Sequence, residues 1–178
     1  TWFQANPASN IKAQLEYYIE PATQSAEVSA QLAAINPGYL DPTTLTVLDP
    51  ACGSGHILVE AYQLLKQIYL EEGYPLQQIP HLILKHNLFG LEIDQRATQL
   101  ATFALIMQAR ADDANLFDQS IQTNIVQIVA SNHLDAQAVF TNLAEKSNFI
   151  TCGEVRQFIE IFTNADLFGS LIQISPNT

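Results

Sequence analysis

Leu45-Thr46-Val47-Leu48-Asp49-Pro50-Ala51-Cys52-Gly53-Ser54-Gly55 reads as a strand, a glycine turn and the threshold of a helix. Leu45, Val47 and Leu48 form a short apolar run of the kind that makes a buried strand. Asp49-Pro50 ends the run, because proline has no N–H to give a sheet ladder. Gly53 and Gly55 then permit a tight turn through which the backbone can approach a ligand. An amphipathic pattern begins at His56 and carries Ile57, Leu58, Ala61, Leu64, Leu65 and Ile68. It runs to Glu72 and stops at Gly73, a favoured residue just past a helix end. Together these make the nucleotide-binding corner of a doubly wound sheet, with ligands held beyond the carboxyl end of the strand.

Working upstream, Ser9 or Asn10 caps an expected helix whose apolar positions are Ile11, Leu15, Tyr18 and Ile19, and Pro21 ends it. A weaker helix follows through Val28, Leu32 and Ile35. Asn36-Pro37-Gly38-Tyr39 and Asp41-Pro42 are turn chemistry. Residues 1–44 therefore read as an N-terminal helical segment.

Downstream, Pro80 opens a short helix containing Leu82, Ile83 and Leu84, closed at Asn87. Leu88-Phe89-Gly90-Leu91-Glu92-Ile93 reads as a second buried strand. Asp94 caps a helix with Leu100, Phe103, Ala104 and Met107 on its core face. A third strand spans Ile125 to Ala130, and two further helices run from Asp135 to Lys146 and from Gly153 to Thr163. Strands alternating with helices imply an α/β fold with a parallel sheet and right-handed crossovers.

With 178 residues and 48% hydrophobic content, the chain suits one ordinary globular domain with a sizeable core. No apolar run reaches membrane-spanning length and no signal-peptide layout opens the chain, so no membrane partner is expected. Cys52 and Cys152 lack metal-type spacing, and Cys52 sits inside the glycine turn, so a reducing cytoplasm is the simplest setting. His56, His81, His86 and His133 share no zinc-like spacing. Seven basic residues against 18 acidic ones leave a formal net charge of −11. Lys12, Lys66, Lys85, Arg96, Arg110, Lys146 and Arg156 are scattered, whereas neutralising several phosphates needs a cluster. This segment alone is expected to bind nucleic acid poorly. It starts without Met and ends in Pro176-Asn177-Thr178, so a piece of a larger protein is expected.

Three polar sites fall at successive strand ends: Asp49 to Gly55, Glu92 to Asp94, and Ser131-Asn132. In a parallel sheet these ends line one crevice. The first offers glycine-turn amides and the Asp49 carboxylate. The second offers Glu92, suited to two ribose hydroxyls, and Ile93 as an apolar plate for a base. The third offers Asn132, which can both donate and accept. The dinucleotide fingerprint wants a third glycine where Leu58 stands, and an acid about 20 residues on, whereas Glu92 comes 37 residues past Gly55. No GxxxxGK[ST] is present. Asp49 repels a pyrophosphate but suits a cationic methionyl amine. S-adenosylmethionine fits these residues better than NAD or ATP.

Asp49-Pro50-Ala51-Cys52-Gly53-Ser54-Gly55 resembles the cofactor motif of amino-methylating DNA methyltransferases, chiefly the adenine-N6 class. Gly90-Leu91-Glu92-Ile93-Asp94 is similar to that family's second motif, and Ser131-Asn132 to its third. The wording from His56-Ile57-Leu58-Val59 through Tyr69, then Asn87-Leu88-Phe89-Gly90 and Leu100 to Met107, is similar to PglX-like methyltransferases of BREX phage-defence systems and to type II restriction-enzyme methylase subunits. The resemblance spans Trp2 to Ile174. It implies a partial Rossmann-like S-adenosylmethionine-dependent methyltransferase fold, with residues 45–178 as the cofactor-binding part. It implies Glu92 on the ribose, Ile93 on the adenine and a polar Asn132 at the adenine amino group.

The family's catalytic tetrapeptide, Asn/Asp/Ser-Pro-Pro followed by an aromatic, is absent and is expected downstream. Asn36-Pro37-Gly38-Tyr39 resembles it only superficially, preceding the first strand, and reads as a turn. The segment is therefore expected to hold cofactor and carry no catalytic residue, while duplex DNA and defence-system proteins are partners expected of the full-length parent. Alternatives are an NAD-dependent Rossmann oxidoreductase, a non-catalytic acidic interaction domain, and methylation of RNA or protein. Asp94 is expected to cap, Cys52 to pack, and the Leu100, Phe103, Met107 stripe to lie in the core.

Overall fold

In the computed structural model, three short strands form one parallel sheet in the order β1 (Val47–Asp49), β2 (Leu88–Glu92), β3 (Asn124–Gln127). The register pairs Val47 with Leu88, Asp49 with Gly90, Gly90 with Ile125 and Glu92 with Gln127. The structure describes residues 2–15, 17–20, 22–35, 39–118, 120–129, 131–144 and 151–163. Thr1–Gln127 form one compact unit and Ile128–Thr178 a second. The partial Rossmann-like α/β class expected from the sequence is present: parallel strands with helices in the crossovers.

The helices are α1 (Trp2–Ala5), α2 (Ala26–Ile35), α3 (His56–Glu71), α4 (Ile79–Leu82), α5 (Gln95–Asp112), α6 (Ala136–Ala144) and α7 (Cys152–Ile161). Helix α3 supplies Leu58, Tyr62, Leu65 and Tyr69 to the main core, and α5 supplies Ala101, Leu105 and Ala109. A Cβ added at Gly90 would lie 3.0 Å from Leu58 Cδ1 and 2.8 Å from Ile125 Cδ1, so the sheet face carrying Gly90 is closely packed. Polar ties join the two helices: Gln63 Nε2 donates to Gln108 Oε1 at 2.6 Å, and Tyr62 Oη and Lys66 Nζ each reach Asp112 at 3.0 Å. Helix α3 ends as expected, with Gly73 at φ 84°. There Gly73 N–H bonds the Leu70 carbonyl and Tyr74 N–H the Tyr69 carbonyl, while the Tyr69 and Tyr74 rings meet edge-on at 5.0 Å.

Asn87 is fully buried and ties distant segments together. Its Nδ2 donates to the carbonyls of Pro42 and Leu45, both at 2.7 Å, and its Oδ1 accepts from Tyr69 Oη at 2.9 Å. It thus holds the approach to β1 against α3. In the second unit, Thr151 and Glu154 form a reciprocal capping box at the start of α7, and Cys152 Sγ reaches Gln137 Oε1 of α6 at 3.3 Å.

Several expectations are corrected. The helix expected after Ser9-Asn10 is only a 3-10 turn, Ile11–Gln14, and Leu15 is already extended. Ser9 Oγ accepts from Ile11 N–H at 3.4 Å, and Ser9 Oγ and Asn10 N–H both donate to the Glu71 carboxylate, at 2.5 and 2.6 Å. Tyr18 then folds back edge-on to Phe3 at 5.3 Å. The strands are not buried on both faces, since Leu48 is 58% and Val126 54% exposed, opposite the face that carries Gly90. On α5 the stripe Leu100, Phe103, Met107 is solvent-facing, with Phe103 62% exposed, and the narrower stripe Ala101, Leu105, Ala109 is buried. Small residues there allow close approach to α3: a Cβ at Gly55 would meet Ala101 Cα at 3.0 Å. The third strand is shorter than expected. Asn36–Gly38, Ala130 and Lys146 lie outside the described residues.

Candidate functional site

Asp49 ends β1 and Glu92 ends β2, and the register puts both on the sheet face of Gly90. Between them runs the glycine turn. Cys52 N–H donates to the Leu91 carbonyl at 3.0 Å, and Gly55 N–H to the Cys52 carbonyl at 2.8 Å. Gly53 and Gly55 adopt φ of 54° and 86°, the left-handed region that glycine enters without steric penalty. Gly55 is the cap residue of α3 and offers no side chain to the first amides of this helix. Those donors, with the positive end of the helix dipole, face the mouth of the turn.

Glu92 closes the arrangement. Its Oε2 accepts from Gly53 N–H at 2.7 Å, and its Oε1 accepts from Ile93 and Asp94 N–H, each at 2.9 Å. The amide of Asp94, then those of Gly53 and Ile93, hold its carboxyl below the ordinary carboxylate value. An ionised carboxylate has about four acceptor positions, so three amide bonds leave capacity for a hydroxyl donor. Ile93 is 67% exposed beside it, an apolar surface open to a flat ring. Asp49 Oδ1 accepts from Ala51 N–H at 3.1 Å, which fixes the carboxylate at the turn.

The other residues separate by role. Cys52 is buried, with Sγ 3.0 Å from where a Gly90 Cβ would be, and burial pushes its thiol pKa up, as befits a packing residue. Asp94 Oδ1 accepts from Arg96 and Ala97 N–H at 2.7 and 2.9 Å, a helix cap. Pro50, Ala51 and Ser54 are turn residues between the carboxylates. The structure therefore brings Asp49, the glycine turn and Glu92 to Asp94 together. Ser131 and Asn132 belong to the second unit, in a 3-10 turn after β3, and Ser131 Oγ donates to the Ile159 carbonyl there at 2.9 Å. The direct tie from Glu92 to Gly53 was not legible in the sequence, because no spacing signals that two residues 39 apart share a bond.

A Cβ added at Gly53 would meet nothing within 4 Å, so open space lies directly before the turn. Free helix amides, a carboxylate on either side and an exposed apolar plate suit a ligand with a carboxylate, an amine, vicinal hydroxyls and a ring. S-adenosylmethionine has all four.

The family model for the MmeI DNA-methyltransferase domain matches residues 39–154, a span that includes β1, the glycine turn and β2. This chain belongs to the MmeI DNA-methyltransferase domain family. It is 45% identical, over 97% of its length, to the adenine-specific methyltransferase BrxX of Escherichia coli O9:H4 (strain HS), and spans 16% of that protein. It is 40% identical over 65% of its length to the adenine-specific methyltransferase PglX of Lacticaseibacillus casei (strain Zhang), spanning 9% of it. Within the methyltransferase family a methyl donor is the general requirement, and the turn has the donor set for one. Among the described residues no helix is long and apolar enough to cross a membrane, and no His, Cys, Asp and Glu group could hold a metal ion.

Proposed function

We propose that this chain is the S-adenosylmethionine-binding portion of an adenine-N6 DNA methyltransferase from a restriction-modification or BREX-like phage-defence system. The observation that carries the proposal is the Gly53 to Glu92 bond, which joins the glycine turn and the strand-end acid into one ligand cradle. In this reading the turn Pro50 to Gly55 brings the Ser54 amide and the first amides of α3 to the methionyl carboxylate, and Asp49 takes the amine. Glu92 takes a ribose hydroxyl on its remaining acceptor position, Ile93 stacks on the adenine, and Ser131 and Asn132 serve the adenine edge. The cofactor supplies an electrophilic sulfonium methyl. Residues 1–44 buttress the cofactor-binding part, 45–178, through the Glu71 contacts of Ser9 and Asn10.

The parent moves the methyl to the amino nitrogen of an adenine swung out of duplex DNA. No Asn/Asp/Ser-Pro-Pro-aromatic tetrapeptide occurs in these 178 residues, so this portion holds cofactor without performing transfer. Its charge of −11 leaves DNA contact to other parts of the parent, along with any defence-system protein partners, in the cytoplasm. Calorimetry with S-adenosylmethionine and S-adenosylhomocysteine tests the proposal. Saturable heat for both, lost in Asp49→Ala and Glu92→Ala, is expected; no heat with either, alongside clear binding of NADH, overturns it.

A further inference from the structure

A cavity of about 600 Å³ opens at the amino ends of β2 and β3, away from the strand ends that carry Asp49 and Glu92. Its polar lining is His81, Lys85, His86, Ser120 and Gln122, over apolar Leu84 and Ile121. That is the size range of small-ligand sites. In a chain of net charge −11, this lining includes a lysine and two histidines and no acid. Lys85 has no acidic partner among the described residues, whereas Lys12 pairs with Glu20 and Lys66 with Asp112.

The backbone that presents these groups is unusual. Ile83–Asn87 is a π-helical turn, a rare form that concentrates at functional sites. Two asparagines hold it. Asn87 anchors its end through the Pro42 and Leu45 carbonyls. Asn124 Nδ2 lies 3.0, 3.2 and 3.1 Å from the carbonyls of Leu84, Lys85 and Leu88. The widened turn keeps Asn87 in the core while Lys85 and His86 line the cavity. His81 is set beside Asp113: its buried Nε2 makes no hydrogen bond but lies 3.6 Å from Asp113 Oδ2, within ion-pair range.

We propose that this cavity is a second ligand site, which takes a small phosphate monoester through Lys85, His86 and the Ser120 hydroxyl, with His81 in its wall. An anion suits an ammonium without an acidic partner, beside N–H and O–H donors, better than a neutral ligand does. A small anion suits it better than a long polyanion, because the rest of the chain is acidic and repels an extended nucleic-acid backbone. The site is independent of the cofactor assignment, since it occupies the other end of the strands.

The test is ¹⁵N-detected NMR of the histidine rings in the full chain, titrated with inorganic phosphate at constant ionic strength. Saturable shifts at His81 and His86 are expected. Lys85→Gln, at an exposed position, should weaken phosphate at least tenfold, and Lys12→Gln should leave it unchanged. Equal shifts with sodium chloride, or an unaltered phosphate titration in Lys85→Gln, overturn the proposal. So does a short DNA duplex that displaces phosphate at a lower phosphate-equivalent concentration, which would make the source a nucleic-acid backbone.

Discussion

The amide of Gly53 donates to Glu92 Oε2 at 2.7 Å, so the acid at the end of β2 holds the glycine turn at the end of β1. One carboxylate thus has two duties. It fixes the glycine turn, and in the proposed function it also takes part in holding the cofactor. A change at Glu92 is therefore felt in turn geometry as well as in affinity.

This makes the turn sensitive to acid. Three backbone amides keep the Glu92 carboxyl below its ordinary value of 4.5 in the folded state. A depressed folded-state pKa adds stability that is fully present above the unfolded value and is lost as pH falls through the folded one. Asp41 and Glu154 are lowered in the same way and affect wild type and variant alike. Melting temperatures of wild type and Glu92→Gln should therefore converge as pH drops below about 4.5. Parallel curves down to the acid limit would count against the Glu92 ties.

Gly53 and Gly55 should respond differently to alanine. Both have positive φ, which costs a residue with a Cβ roughly 1–2 kcal/mol. At Gly55 the new methyl also meets Ala101 Cα at 3.0 Å, so the total should reach roughly 2–4 kcal/mol in urea denaturation. At Gly53 the methyl meets no protein atom and projects into the space before the turn. Gly53→Ala should remain folded while S-adenosylmethionine affinity falls at least tenfold; equal affinity would show that ligand does not enter that space.

Asn87→Ala should be among the most costly single changes. It removes two buried hydrogen bonds and one part-buried one, and leaves the Leu45 carbonyl and the Tyr69 hydroxyl without this partner. Unpaired buried groups cost about 1–3 kcal/mol each, so a loss of roughly 3–5 kcal/mol is expected from chemical denaturation. A loss under about 1 kcal/mol would show that water replaces the amide.

Leucine and phenylalanine on α5 should rank against their hydrophobicity. Leu105 is fully buried, and Leu105→Ala should cost roughly 2–5 kcal/mol. Phe103 is 62% exposed, and Phe103→Ala should stay within about 0.5 kcal/mol. Thermal melts of the two variants compare them directly, and a larger loss at Phe103 would place the outer stripe in the core after all.

Much of the site is local chemistry and could be read from the chain. Asp49-Pro50 had to end a strand, because proline cannot pair onward. Gly53 and Gly55 had to turn, because only glycine takes those φ values freely. Asp94 had to cap, because its carboxylate meets amides two and three residues ahead. The buried face of α5 is not legible in the same way, because periodicity shows that a helix has an apolar side without showing which of two overlapping stripes meets a neighbour. Gly55 lets α3 approach α5 so closely that small Ala101 and Ala109 flank Leu105 in the buried stripe, and the bulkier Leu100, Phe103 and Met107 remain outside. At Ser9-Asn10 a long-range partner decides the local form: the Ser9 hydroxyl and the Asn10 backbone N–H both donate to Glu71, 61 or more residues away, and only one 3-10 turn follows.

By itself the sequence determined the order of strands and helices, the glycine corner and the family, because each depends on residues within a few positions of one another. Only the tertiary structure decided that Glu92 reaches back to Gly53, that Asn87 holds the approach to β1, and that Lys85 and His86 line a cavity. Those outcomes depend on contacts between segments tens of residues apart. Their geometry is set by how closely α3, α5 and the sheet pack, and no local pattern encodes that distance.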